Sequence, residues 1–157
     1  MDDSKPKIER VENQFLFSEI TRMLAEGRKA SFVVVGYSMY PFLVSGRDSV
    51  IIESPGNKGY RKGDILLFQP VPGKYILHRA TKLTKEGFEA TGDGNFFRDG
   101  FFPYDCIVGR AVAIVRKGKT ISCSALWYQL LYRIWGWLFP FRKHLIHTWG
   151  KIRRWNR

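Results

Sequence analysis

The sequence predicts a mainly β domain with an amphipathic helix before it and an aromatic, basic helical tail behind it. Two observations carry the β prediction. Over residues 29–120 the apolar residues come in short or alternating runs separated by Gly, Pro and Asp, the texture of strands joined by tight turns. No helix-length periodic pattern falls between those runs, which argues for an antiparallel sheet over a βαβ array. A third observation marks the ends: residues 1–28 turn to helical spacing, and residues 121–157 become rich in Trp, Lys and Arg. A chain of 157 residues with 45% hydrophobic and 15% aromatic content encloses a real core and is no disordered polycation.

Residues 8–26 read as the first helix. Val11, Phe15, Ile20, Met23 and Leu24 recur at helical spacing, with Glu12, Glu19, Arg22 and Glu26 on the other side and Gly27 as C-cap. Strands are expected over 31–35, 49–52, 64–68, 74–78, 87–91 and 107–115. Turn chemistry stands between them at Ser54-Pro55-Gly56-Asn57, Pro70-Val71-Pro72-Gly73 and Gly92-Asp93-Gly94-Asn95.

The net charge of +12 is unevenly spread. Residues 1–115 carry sixteen basic side chains against fourteen acidic, whereas residues 116–157 carry ten basic and no acidic one. All five tryptophans (Trp127, Trp135, Trp137, Trp149 and Trp155) lie in that same tail. An argument from charge about partners therefore concerns the tail and not the body.

Residues 122–141 are long enough to cross a bilayer. Arg133 near the middle, however, costs about 2.5–3.5 kcal/mol on insertion scales. Arg142, Lys143, Lys151, Arg153, Arg154 and Arg157 follow the segment and favour the cytoplasmic side. The polar start, Met1-Asp2-Asp3-Ser4-Lys5-Pro6-Lys7, reads as neither a signal peptide nor an N-terminal anchor. The expectation is a peripheral protein on the cytoplasmic side of a membrane. Its tail helix would lie in the interface, with Trp and Tyr at headgroup depth and Lys and Arg on anionic lipid. Packing of the tail on the body or on a partner protein is the alternative. Nucleic acid is the less favoured partner, because an apolar helix carrying clustered Trp suits a bilayer better than a strand of bases. Two cysteines, Cys106 and Cys123, with no CxxC or Cys/His cluster point to neither a disulfide scaffold nor a zinc site, and no cofactor is expected.

Three segments of the body hold residues fit for chemistry. The first is Gly36-Tyr37-Ser38-Met39-Tyr40-Pro41, followed by Gly46-Arg47-Asp48. The second runs from Gly63-Asp64 to His78-Arg79. The third is Gly92-Asp93-Gly94-Asn95 with Asp99 six residues after Asp93, and Val108-Gly109-Arg110 closes the region. Ser38 follows an apolar strand and precedes a Pro-limited turn, where a hydroxyl is held on a rigid edge. His78 is the only histidine of the body, since His144 and His147 lie in the tail. A neutral imidazole is suited to taking a serine proton at neutral pH, and either Asp93 or Asp99 offers a carboxylate to hold its tautomer.

In order and wording these segments resemble the signal peptidase I superfamily, which also includes the self-cleaving repressor peptidases. Ser38-Met39-Tyr40-Pro41 looks like the nucleophile box, and Gly46-Arg47-Asp48, Gly63-Asp64, His78-Arg79 and Gly92-Asp93-Gly94-Asn95 match the later boxes in order. The resemblance covers about residues 30–115. Bacterial members usually have a lysine base where this chain has His78, so the histidine version is similar to endoplasmic reticulum and archaeal signal peptidases. The resemblance implies a signal-peptidase-like β fold and acyl transfer to peptide bonds. In it Ser38 is the nucleophile, His78 the general base, Asp99 the third member and Asp93 a supporting group, with Gly36, Met39 and Pro41 on the substrate-binding side. The implied substrate is a precursor or leader peptide with small side chains beside the scissile bond. The alternative is a catalytically inactive module of the same fold that binds a peptide or a membrane. Two local departures stand out. Gly36 replaces the hydroxyl residue with which many bacterial members help bind the oxyanion, and Arg47 adds one residue to the usual Gly-Asp pair. With 37 residues before Ser38, a repressor's DNA-binding domain and cleavable linker do not fit.

Overall fold

Ile65, Leu66, Leu67 and Phe68 are consecutive and all buried. Alternate residues of a strand point to opposite faces, so a run apolar at every position belongs to a strand covered on both sides. Ile65 and Leu67 enter one core with Ile20, Leu24, Met39, Leu43, Val50, Ile52 and Tyr128. Leu66 and Phe68 enter a second core with Ala80, Phe88 and Ala90. The computed structural model of the chain describes residues 6–155, with side chains over 14–148.

The elements are α1 (Pro6–Ala25), β1 (Ala30–Val33), β2 (Asp48–Glu53), β3 (Ile65–Val71), β4 (Lys74–Leu83), β5 (Gly87–Thr91), β6 (Gly100–Pro103), β7 (Ile107–Arg116), β8 (Lys119–Ser122), α2 (Leu126–Trp137) and α3 (Arg142–Trp155). The strands form one sheet in the order β1-β2-β7-β3-β4-β5-β6, with β8 also on β7. Every pairing is antiparallel. The fold is thus a mainly antiparallel β sheet with a helix at the front and helices at the back.

All six expected strands form, and two more join them. β6 is four residues long and ends on Pro103, at a sheet edge where a missing N–H costs least. β8 returns from β7 through Lys117 and Gly118, both at positive φ, the backbone of a tight hairpin turn. α1 ends as expected at Gly27. There Gly27 N–H donates to Leu24 O and Arg28 N–H to Met23 O, a Schellman closure. Phe15, expected on the buried face, is 77% exposed. The side of α1 that packs is set by Phe17, Ile20, Met23 and Leu24, and Phe15 lies across the helix from them. Val11 and Glu12 fall outside the residues whose side chains are described.

The tail is not one rod. α2 stops at Trp137, a 3-10 turn at Phe139–Phe141 carries Pro140, and α3 begins at Arg142. Among the described residues no helix is long and apolar enough to cross a membrane. One side of α2 packs on the body, with Tyr128 in the same core as α1 and the sheet. The three segments 1–28, 29–120 and 121–157 thus share one core.

Candidate active site

The turn after β1 is built around a buried acid. Asp48 is fully buried at the start of β2, where it accepts from Val44 N–H at 2.9 Å and from both Arg47 and Arg116. Burial alone would raise its pKa, but the two guanidiniums and the amide hold it well below the usual carboxylate range. Arg116 also donates to Phe42 O at 2.7 Å. The Asp48 cluster therefore pins residues 42–48, and with them the turn that presents Ser38. Arg47 adds a second guanidinium to this cluster.

Ser38, His78 and Asp99 line a single cleft of about 850 Å³, with Gly36, Met39 and Asn95 also in its wall. His78 comes from β4, and its Nδ1 lies 2.5 Å from Asp99 Oδ2. Asp99 stands just ahead of β6, its N–H on Ala90 O. Its carboxylate also accepts from Gly92 N–H at 3.2 Å and from Asn95 Nδ2 at 3.3 Å. Three partners therefore fix the acid that holds the imidazole. Nε2, the nitrogen Asp99 leaves free, is turned toward the Ser38 turn. A Cβ added at Gly92 would stand 3.0 Å from Nε2 and 2.4 Å from Ser38 O, so only a glycine fits between them. Gly94 repeats the device, with its N–H on Ser38 O at 2.7 Å and no room for a Cβ beside Tyr37 O. Among the described residues no hydrogen bond joins Ser38 Oγ to Nε2; in substrate-free sites such contacts are commonly longer than in the working complex.

Asp93, the other candidate acid, serves a different residue. It forms a two-pronged pair with Arg79 at 2.9 and 2.7 Å, and both side chains are 3% exposed. Burial opposes the Arg79 charge, yet Asp93 overcomes this and raises its pKa. Arg79 further donates to Gly63 O at 2.8 Å and to Tyr128 OH at 3.2 Å. The rings of Phe42, Tyr128 and Tyr132 lie 4.7–5.8 Å from its guanidinium carbon, within cation–π range. Burial beside this pair pushes the Tyr128 phenol up to about 12, so it stays protonated and able to donate.

Of the three residues expected on the substrate side, one stands clear of packing. Gly36 is exposed at φ +93, with no neighbour where a Cβ would go. A side chain there has space but the wrong backbone. Its N–H is engaged by Ser45 Oγ at 3.1 Å. Met39 is 2% exposed and belongs mainly to the core, touching the cleft only from beneath. Pro41 is absent from the cleft wall and lines a cavity against α2 instead.

The tail supplies residues the sequence did not reveal. Trp135 Nε1 donates to Asp93 O at 2.7 Å. Arg142 is 5% exposed and donates to Asn95 O at 3.3 Å and to Trp135 O at 3.2 Å. The Trp135 and Phe139 rings flank it at 5.3 and 5.0 Å, and burial lowers its pKa. Both residues grip the loop that leads to Asp99. Cys123 is no nucleophile candidate, since burial raises its thiol pKa to about 11. No group of three potential metal ligands occurs among the described residues.

Compared with models of known protein families and with curated proteins, the chain matches none.

Proposed function

We propose that this chain is a serine endopeptidase of the signal-peptidase type, with Ser38 as nucleophile, His78 as general base and Asp99 as the acid that orients the base. The observation that carries this is the shared cleft. A serine on a pinned turn and a histidine held through Nδ1 by a triply bonded carboxylate face each other across a glycine.

The chemistry follows from that arrangement. Ser38 Oγ attacks the scissile carbonyl while Nε2 takes its proton, and Asp99 stabilises the imidazolium through Nδ1–H. The oxyanion draws on backbone N–H groups, including that of Ser38, because Gly36 brings no hydroxyl. Collapse of the tetrahedral adduct breaks the C–N bond, and the imidazolium returns the proton to the leaving amine. Water then attacks the acyl-Ser38 ester with Nε2 again as base, releasing the acid and restoring the hydroxyl. Among the described residues the outer edge of β1 is unpaired, and Val33 and Val35 beside it line the same cleft. An extended peptide fits there by strand addition, which suits a precursor or leader peptide. The signal-peptidase-like β fold belongs to the same proposal.

The test is labelling with a fluorophosphonate probe together with cleavage of precursor peptides, in wild type, Ser38→Ala and His78→Ala. Labelling confined to Ser38 and cleavage lost in both variants is the expected result. Equal cleavage by all three proteins overturns the proposal.

A further inference from the structure

α2 has two faces with opposite fates. At about 100° per residue, Leu126, Trp127, Leu130, Leu131, Ile134 and Trp137 fall within one arc of about 140°. The body covers Tyr128 and partly covers Tyr132 and Trp135, which lie beyond that arc. The six are the exposed ones: Leu126 is 87% exposed, Trp137 82%, and the remaining four between 42% and 59%. Six contiguous large apolar side chains are unlike the scattered single exposures ordinary on a monomer. Phe141, in the turn that follows, is also exposed. Beside the arc, Trp127, Leu131 and Ile134 form the outer wall of an apolar cavity of about 330 Å³ against Ile114 and Ile121.

The charge around this face says what covers it. Residues 116–157 contain ten basic side chains and no acidic one, of which Arg116 is paired with Asp48 and Arg142 is buried. Arg133 flanks the arc, and Lys143 and the hairpin residues Lys117 and Lys119 are exposed. A second copy would bring a like-charged rim against this one. Nucleic acid would meet aliphatic Leu and Ile, which neither stack on bases nor pair with their edges. An anionic bilayer satisfies both parts, taking Leu, Ile and Trp below the headgroups and Lys and Arg among them.

We infer that the exposed face of α2, with the basic residues around it, docks this protein on an anionic phospholipid bilayer, α2 lying in the plane of the interface. The inference stands apart from the peptidase proposal, because it uses no residue of the Ser38 cleft.

The full chain is mixed with phosphatidylcholine vesicles with and without phosphatidylglycerol, floated on a density gradient, and titrated with salt. The same chain is then read by tryptophan fluorescence against brominated lipids. Expected are flotation that needs phosphatidylglycerol and weakens with salt, together with quenching of tryptophan by shallowly brominated chains. Leu130→Glu combined with Trp137→Glu changes only exposed positions, so the thermal midpoint holds while partition falls by more than about tenfold. Absence of flotation and quenching in the unaltered chain overturns the inference, as does flotation unchanged in the double variant. A dimer that the double variant converts to monomer, without flotation, reassigns the face to self-association. A tight gel shift with single-stranded nucleic acid, without flotation, reassigns it to that partner.

Discussion

His78 and Arg79 are neighbours on β4, so they point to opposite sides of the sheet, and each finds a carboxylate from the same short segment. The two pairs live in different media. His78 and Asp99 keep 11% and 13% of their side chains open at the cleft, whereas Arg79 and Asp93 are 3% exposed beneath aromatic rings of the turn and of α2. On the proposed mechanism the open pair can exchange a proton with a substrate, whereas the sealed pair is out of reach of one. The buried pair holds the loop to the sheet from behind, and the open pair faces the Ser38 turn across the cleft. The likeness of the residues thus hides a division of labour that only burial reveals.

That division is open to breakage at several points. The largest loss of stability is expected from Arg79→Ala, which leaves Asp93 as an uncompensated buried charge and costs about 3–5 kcal/mol, read as the urea midpoint. Next is Gly92→Ala. Its methyl group would press on Ser38 O and His78 Nε2, and a displacement of about 1 Å at reacting groups lowers the rate of Ser38 acylation on the order of a hundredfold.

Asp48→Asn sharpens the comparison through pH. The folded-state pKa of Asp48 is depressed, so its stabilisation is present at neutral pH. It is lost as pH falls through the ordinary carboxylate range toward the folded value. The variant is expected to be less stable by about 1.5–3 kcal/mol at pH 7, and the two urea midpoints to begin converging only below about pH 4. The smallest effect is that of Arg142→Ala. It frees Asn95 O and, through the Asn95 contact, loosens Asp99, slowing acylation on the order of tenfold.

Much of this frame was legible in the residues. The β body was readable because its strands are short, apolar and punctuated by Gly and Pro. Ser38 and His78 stood out because one sits before a Pro-limited turn and the other is the body's only histidine, and the structure sets both on one cleft. The residues alone left Asp93 and Asp99 both open, one within the glycine-rich turn and one just after it, and only the resemblance favoured Asp99. What separates them is β6, too short and Pro-ended to signal itself, which sets Asp99 beside Ala90 and opposite the imidazole. Arg142 was beyond reach for another reason. Its partner Asn95 is 47 residues away, and no local pattern encodes a contact made by packing one helix turn on a distant loop. The tail, read as an attachment, shares the core through Tyr128. Its composition described only the face that stayed outside.

The division of labour is tested most directly by measuring, for Asp99→Asn and Asp93→Asn side by side, the rate of Ser38 acylation and the urea midpoint. The predicted result is a crossed pattern. Asp99→Asn keeps its midpoint and loses about 10⁴-fold in rate through the wrong imidazole tautomer, while Asp93→Asn loses stability first and rate only as the fold loosens. Equal rates in Asp99→Asn and wild type, or a folded Asp93→Asn protein with the greater loss of rate, would contradict it.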